Sequence, residues 1–260
     1  MAPPTLTTSP SPFHLIPEPL TYESFVPYGT AIVSPLPRHL TKGPPPLPLP
    51  QSHIPPLDLA NQATALKFSP ISPLDNYYAE RCPSGQPASA RMSMFACFSR
   101  QLRDAGDSTA IFDVRMLERH PYTTQTFIPL DSTSQQPSPS SNRAGYDEPG
   151  LEPLYLAIVA PSLTNQTTTA TRISPDTGDS ETVTITDPPD LSKVRAFVAR
   201  DGQAVTYGAG TWHAPMVVMG ERRVDFVVVQ FANGVGEEDC QEVSFGEGVE
   251  VVIGKEMAKL

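Results

Sequence analysis

The chain has little positive charge. Its 18 Lys and Arg stand against 28 Asp and Glu, giving a net charge of −10 and a pI near 4.9. The cations are scattered, with no basic stripe, which argues against nucleic-acid binding as the main activity. No apolar run approaches the roughly 20 residues of a membrane-spanning helix. The opening residues, Met-Ala-Pro-Pro-Thr-Leu-Thr-Thr-Ser-Pro, have neither the basic n-region nor the apolar h-region of a secretory signal. The first basic residue other than histidine is Arg38, which disfavours an Arg-rich transit peptide. Cysteine is sparse: Cys82, Cys97 and Cys240 have no metal-ligand spacing and read as reduced thiols of a cytoplasmic protein. Amphipathic helical periodicity is almost missing. These absences leave an acidic, soluble protein with no membrane or nucleic-acid partner expected.

Proline is what the chain has instead. Its 31 prolines are about 12% of the residues, against an average near 5%. Such density cannot sit in helix interiors or central strands. Residues 1–12 read as a flexible leader, and 35–56, 131–150 and 161–189 as inserted, mobile loops. The first of these tracts carries Pro44-Pro-Pro-Leu-Pro-Leu-Pro50, which prefers polyproline II and reads as an inserted linker or an SH3-type ligand. The ordered remainder, on the order of 160–180 residues, suffices for one core, so 1–260 is read as a single domain.

Between the tracts lie runs rich in β-branched and aromatic residues. Phe13–Ile16, Thr30–Ser34, Met92–Leu102, Phe112–Glu118, Thr123–Leu130 and Leu154–Ala160 are expected as strands. So are Val194–Arg200, Met216–Met219, Val224–Phe231 and Glu242–Val252. Thr21–Gly29 predicts one helical turn, capped by Thr21 and ended by Gly29. Leu57–Phe68 reads equally as strand or short helix. Many short strands joined by Pro- and Gly-rich connections predict a mainly β fold, an antiparallel sandwich or small barrel with short helices.

Two constellations carry chemistry. The first is Thr206–Pro215, where Gly208 and Gly210 permit a tight turn and Trp212 and His213 follow. A histidine past such a turn can present a ring nitrogen into a cavity, or can simply cap the core. The second is Glu118-Arg-His120-Pro-Tyr-Thr-Thr-Gln125. Strand periodicity of two turns Glu118 and His120 to one face, with Gln125 facing them from the returning strand. Together with His213 they make two imidazoles and two oxygen donors, a set suited to Ni, Mn, Zn or Fe. Read singly, Glu118 could be a surface carboxylate and His120 a turn residue bonded to backbone.

Gly210-Thr-Trp-His213 resembles the second motif of the cupin superfamily. Glu118-x-His120-x4-Gln125 has the spacing of the first, with Glu in place of the first His and Gln in place of the acid. Leu117-Glu-Arg-His-Pro-Tyr-Thr-Thr-Gln-Thr-Phe-Ile-Pro-Leu130, Tyr155-Leu-Ala-Ile-Val-Ala160, Arg195-Ala-Phe-Val198, Gly202–Tyr207 and Asp225-Phe-Val-Val sharpen the likeness. With Phe25-Val-Pro-Tyr-Gly29 near the start, this order of motifs is similar to the ureidoglycolate lyase family, over about residues 13–253. The proline- and Ser/Thr-rich tracts look like insertions of a fungal member.

The resemblance implies a cupin-like β-barrel or double-stranded β-sandwich, often a homodimer. It implies cleavage of (S)-ureidoglycolate to glyoxylate and urea in the allantoin branch of purine breakdown. A divalent metal is implied for some members, and no organic cofactor. That chemistry needs a base, an acid and a seat for a carboxylate. His120 and His213 are the candidates for base and acid, or for metal ligands with Glu118 and Gln125. Arg100 is the candidate clamp for the substrate carboxylate, and Gln125, Tyr207 and Trp212 are candidate substrate contacts, Trp212 being equally a core cover. Asp225 reads as a histidine's hydrogen-bond partner or as an edge charge. Two other readings stay open: another metal-dependent cupin enzyme, such as an oxygenase or isomerase, and a non-catalytic cupin binding module.

Overall fold

The computed structural model describes residues 3–7, 13–37, 55–106, 109–130, 153–174, 176–200, 202–220 and 222–254, with 40, 42–45 and 47 besides. In chain order the strands begin β1 (Thr5–Leu6), β2 (Phe13–Leu15), β3 (Glu18–Pro19), β4 (Gly29–Ile32), β5 (Leu57–Ala60) and β6 (Ala65–Phe68). Then come β7 (Ser89–Cys97), β8 (Arg103–Gly106), β9 (Thr109–Arg119), β10 (Gln125–Pro129), β11 (Pro153–Ala160), β12 (Thr167–Ile173) and β13 (Ser180–Thr186). The last are β14 (Arg195–Arg200), β15 (Ala204–Tyr207), β16 (Trp212–His213), β17 (Val217–Val218), β18 (Val224–Ala232) and β19 (Gln241–Gly254). Three single-turn helices, α1 (Tyr22–Phe25), α2 (Tyr78–Arg81) and α3 (Gly236–Asp239), interrupt them. Among the described residues, no helix is long and apolar enough to cross a membrane.

All the strands but β5 and β6, which pair only with each other, form two facing sheets. The larger runs β13-β12-β1-β19-β9-β16-β11-β14-β3, with β17, β2 and β8 attached at its flanks. The smaller runs β4-β15-β10-β18-β7. Among the described residues neither sheet closes on itself, so the barrel alternative gives way to a cupin-like β-sandwich.

Both faces of the larger sheet's central strands β11 and β14 are buried. Tyr155, Ala157, Val159 and Phe197 meet Phe127, Val205, Tyr207, Phe226 and Val228 of the smaller sheet in the inner core. The alternate residues of the same strands, among them Ile158 and Ala196, join Leu117, Trp212 and Val243 in a second core on the far side. This is why β11 reads as a continuous apolar run rather than an alternating one.

Two expectations about loops are corrected. Residues 161–189 are not a loop but the hairpin β12–β13, paired in register from Thr167↔Thr186 to Ile173↔Ser180. Threonine is polar yet β-branched, so one face of the hairpin stays in water while Ala170, Val183 and Ile185 pack on the far-side core. Nor is 1–12 wholly a free leader: β1 lies between β12 and β19, antiparallel to the first and parallel to the second. The ambiguous 57–68 segment is the hairpin β5–β6. Tract 131–150 lies outside the described residues, as does most of Pro44–Pro50.

The helical turn at Thr21 forms as expected. Ser24 N donates to Thr21 Oγ1 at 3.2 Å and Thr21 N to Ser24 Oγ at 3.3 Å, a reciprocal cap. It seats fully buried Phe25 edge-on against Phe197, with centroids 5.3 Å apart. The chain then enters β4 through Tyr28 and Gly29, which pairs with Tyr207. Tyr28 O accepts from Gly208 N at 2.8 Å and from Thr211 Oγ1 at 3.1 Å, tying the glycine turn to the start of the sandwich.

Candidate active site

One end of the sandwich gathers the chemistry-bearing residues. On the larger sheet, β16 pairs with β9 so that His213 stands opposite Glu118. On the smaller, Gln125 opens β10 and stands opposite Tyr207, the last residue of β15. His120 sits in the turn between β9 and β10, and Gly210 N donates to its carbonyl at 2.9 Å. Gly210 has φ +79°, a conformation open to glycine, so the turn before His213 depends on that residue type.

All three ligand-type residues converge. One ligand atom each from Glu118, His120 and His213 lies within 4.8 Å of the others. The two imidazole centroids are 5.6 Å apart. His213 Nε2 is 3.1 Å from Gln125 Oε1 and 3.5 Å from Glu118 Oε1. Tyr207 stacks on the His213 ring at 4.0 Å and 10°. The buried tyrosine hydroxyl has no hydrogen-bond partner and titrates well above its ordinary range, first because of burial, then because Glu118 is near.

The hydrogen bonds fix the protons. His120 Nδ1 lies 2.6 Å from Asp239 O, so Nδ1 carries the hydrogen and Nε2 keeps its lone pair. That Nε2 is buried and partnerless. His213 Nδ1 lies 3.0 Å from Thr211 O. Its Nε2 faces two oxygens, Gln125 Oε1 and Glu118 Oε1. The side-chain amides of Gln125 and Gln230 bond each other at 2.6 Å.

Burial, and after it the charge of His213, push the His120 imidazole down to about 4. Burial pushes the Glu118 carboxyl up, but its bond to His213 and the charges of both histidines outweigh this, leaving it below the usual range. Because the folded His120 value lies below the unfolded 6.5, the unfolded chain binds the extra proton first on acidification. Its contribution to stability is complete above about pH 6.5 and lost as pH falls through about 4. In chelator-treated protein, unfolding free energy should fall by an amount on the order of 3 kcal/mol across that window. Urea melts at a series of pH values should show this slope, and His120→Asn should flatten it.

The set fits a divalent metal. Two imidazoles and a carboxylate suit a first-row ion, and Gln125 Oε1 lies close enough to join. Both Nδ1 atoms bond backbone carbonyls, the outer contact that orients a ligating imidazole. The orphaned Nε2 of His120 is the observation that carries this fit. Behind Glu118, Cys240 and Glu242 form a second close group with it. There burial, and after it the charge of Glu118, hold the Cys240 thiol up at about 12.

Arg100 stands elsewhere. Its amide donates to Val218 O, and its guanidinium lies 5.8 Å from the Phe112 ring. Phe112 is six residues from Glu118 on β9, about 20 Å away along a strand. Trp212 points to the far-side core, its Nε1 donating to Asp187 O and its ring under Arg119, so of its two readings the core cover is the one observed. Asp225 pairs with Arg223. The sequence reading missed Gln230 and Asp239. Gln230 is a polar residue inside the apolar run Val224–Phe231, a signal that was there to be used; Asp239 acts through its carbonyl, which no side chain announces.

The family model described as ureidoglycolate lyase matches residues 13–252. The Saccharomyces cerevisiae protein named ureidoglycolate lyase is 31% identical over 248 residues, 90% of this chain and 95% of the yeast protein. Its Schizosaccharomyces pombe namesake is 36% identical over 197 residues, covering 75% and 81% of the two chains. A Burkholderia mallei protein of the same name is 29% identical over 212 residues, covering 82% and 79%. The match spans both motifs that converge at the His120–His213 pair, and the chain belongs to the ureidoglycolate lyase family.

Proposed function

We propose that this chain is a carbon–nitrogen lyase that cleaves (S)-ureidoglycolate to glyoxylate and urea. The observation that carries the reading is the buried, partnerless Nε2 of His120 facing His213 across 5.6 Å. Two like groups whose surroundings drive their protons apart are the usual arrangement for paired acid–base work. In the proposed reaction His120 Nε2 takes the proton of the substrate hydroxyl. The hydroxyl oxygen becomes the aldehyde oxygen of glyoxylate as the carbon–nitrogen bond breaks. The departing nitrogen takes the bond pair, and His213 Nε2 gives it the proton that makes urea. Transfer of a proton back from His120 to His213 restores the starting state. Glu118, held as carboxylate, balances the charge through the cycle, and Tyr207 fixes the plane of the His213 ring.

In the alternative arrangement, a Ni, Mn or Zn ion held by Glu118, His120, His213 and Gln125 would occupy both Nε2 lone pairs, so that in place of the histidines' proton transfers it would supply Lewis acidity that lowers the pKa of the substrate hydroxyl. The binding-module reading required the two histidines to diverge, and their approach gives it no support. We also propose a homodimer, on family likeness, and a cytoplasmic setting, which three unpaired cysteines suit.

The test is product release from racemic ureidoglycolate, on protein stripped with chelator and then resupplied with Mn, Ni or Zn. We expect urea and glyoxylate in equal amounts and no ammonia; activity that survives stripping supports the histidine proton transfers, and activity restored only by an ion supports the metal-held arrangement. Ammonia release would mark an amidohydrolase instead, and no turnover with any ion would return the chain to the binding-module reading.

A further inference from the structure

The lyase reading leaves the substrate carboxylate without a seat, because Arg100 lies at the far end of β9 and Glu118 already makes the site negative. The register of the smaller sheet supplies one. Gly29, Tyr207 and Gln125 stand opposite one another across β4, β15 and β10. Gln125 continues the row to Gln230 through a 2.6 Å side-chain bond, and Gln230 stands opposite Arg91 on β7. Directly opposed residues share a face, with Cβ atoms about 5 Å apart. Phe95, four residues on from Arg91 in β7 and so on the same face, meets Phe127 of the inner core edge-on at 5.7 Å, so Arg91 faces inward as well.

Arg91 is the one charged side chain on that inner face among the described strand residues: the others are Gly29, Ala31, Val205, Tyr207, Gln125, Phe127 and the alternate members of β18 and β7. It is exposed, with no ion pair or hydrogen bond to another described residue. Arg119, the nearest alternative in sequence, is committed to Gln241, Ser162 and the carbonyls of Thr186 and Asp187 on the other side. Arg81 is stacked on Tyr77 at 3.9 Å. An edge-strand arginine serves in many sheets only to discourage pairing with another chain. That role asks for a charge somewhere on β7; it does not ask for the position beside Gln230, two side chains from His213.

We propose that Arg91 is the substrate-binding residue that holds the carboxylate of ureidoglycolate, its guanidinium closing the open end of the Tyr207–Gln125–Gln230 row. The planar fork can donate two parallel hydrogen bonds to a carboxylate, and Gln230 stands ready to orient it. This assignment rests on the lyase reading.

The test compares the kinetics of the full chain with those of Arg91→Gln, Arg91→Lys and Arg81→Gln. A charge-assisted bond of this kind implies that R91Q raises KM about 10–100-fold, with kcat within about threefold, and that R91K recovers part of the loss. Inhibition by glyoxylate, which keeps the carboxylate, should weaken in parallel in R91Q, while inhibition by urea stays as in the parent. A purely structural role would not separate these two products. Thermal midpoints of R91Q and the parent should coincide, since the side chain is exposed. Unchanged KM and unchanged glyoxylate inhibition in R91Q would overturn the assignment and leave the lyase standing, as would the same loss in R81Q alone. A parent chain that does not turn over ureidoglycolate overturns both.

Discussion

His120→Asn is expected to lower kcat/KM for ureidoglycolate by roughly 10²–10⁴-fold with little change in fold. The expected effect follows from which nitrogen each side chain can imitate. An asparagine amide reaches about as far as Nδ1, so it can still donate to Asp239 O, the bond that His120 makes at 2.6 Å. What it cannot supply is the lone pair at Nε2, which faces the site without a partner. His120→Gln is the complementary change, since its amide reaches towards Nε2 but gives up the Asp239 bond. Steady-state kinetics on the two variants, with circular dichroism to confirm folding, separate holding the loop from acting on the substrate. Full activity in H120N would remove His120 from the reaction altogether.

Gly29→Ala is expected to cost about 3–5 kcal/mol, among the largest losses a single methyl group can cause. A Cβ at Gly29 would lie 1.9 Å from Thr206 O and 2.9 Å from Gly208 N, both backbone atoms that cannot swing aside. Its φ of +149° adds a second penalty. The neighbours matter as much as the clash. Thr206 and Gly208 flank Tyr207, whose ring stacks on His213. Forcing β4 away from β15 therefore tilts the plane on which the imidazole rests. Denaturant melts should show a lower midpoint with an unchanged slope. Any G29A protein that folds at low temperature should turn over more slowly than its stability alone predicts. A native midpoint would show that β4 can shift at no cost.

The mainly β fold was legible in the sequence, and so was the convergence of the candidate site's residues. Glu118, His120 and Gln125 could be placed on one face because the strand period of two holds across a short turn. His213 could be added because glycines on its N-terminal side mark where the backbone turns. Arg100 could not be excluded by such local rules: its distance from Glu118 depends on which strands the larger sheet brings together, and that order is long-range. The β12–β13 hairpin was misread for a different reason. Its threonines carry two signals, polarity and β-branching, and only burial of Val183 and Ile185 beneath it decides between them. Gln230 shows the opposite error, a local signal that was present in an apolar strand and was passed over. The pairing of Gln230 with Arg91 was beyond any local rule, since β7 and β18 are separated by about half of the chain.

The placement of β1 and β2 has a consequence for biosynthesis. Both pair in parallel with β19, and Thr5 bonds Ser244 across 239 positions of chain. At 5–20 residues per second, a ribosome needs roughly 12–50 s to make the partner after it has made these strands. Throughout that interval the β12–β13 hairpin, once made, can form, but it has no joined sheet to dock on, because β1 and β19 are what connect it to β9. The larger sheet is thus completed only as its last strand emerges, although both motifs of the candidate site are translated well before.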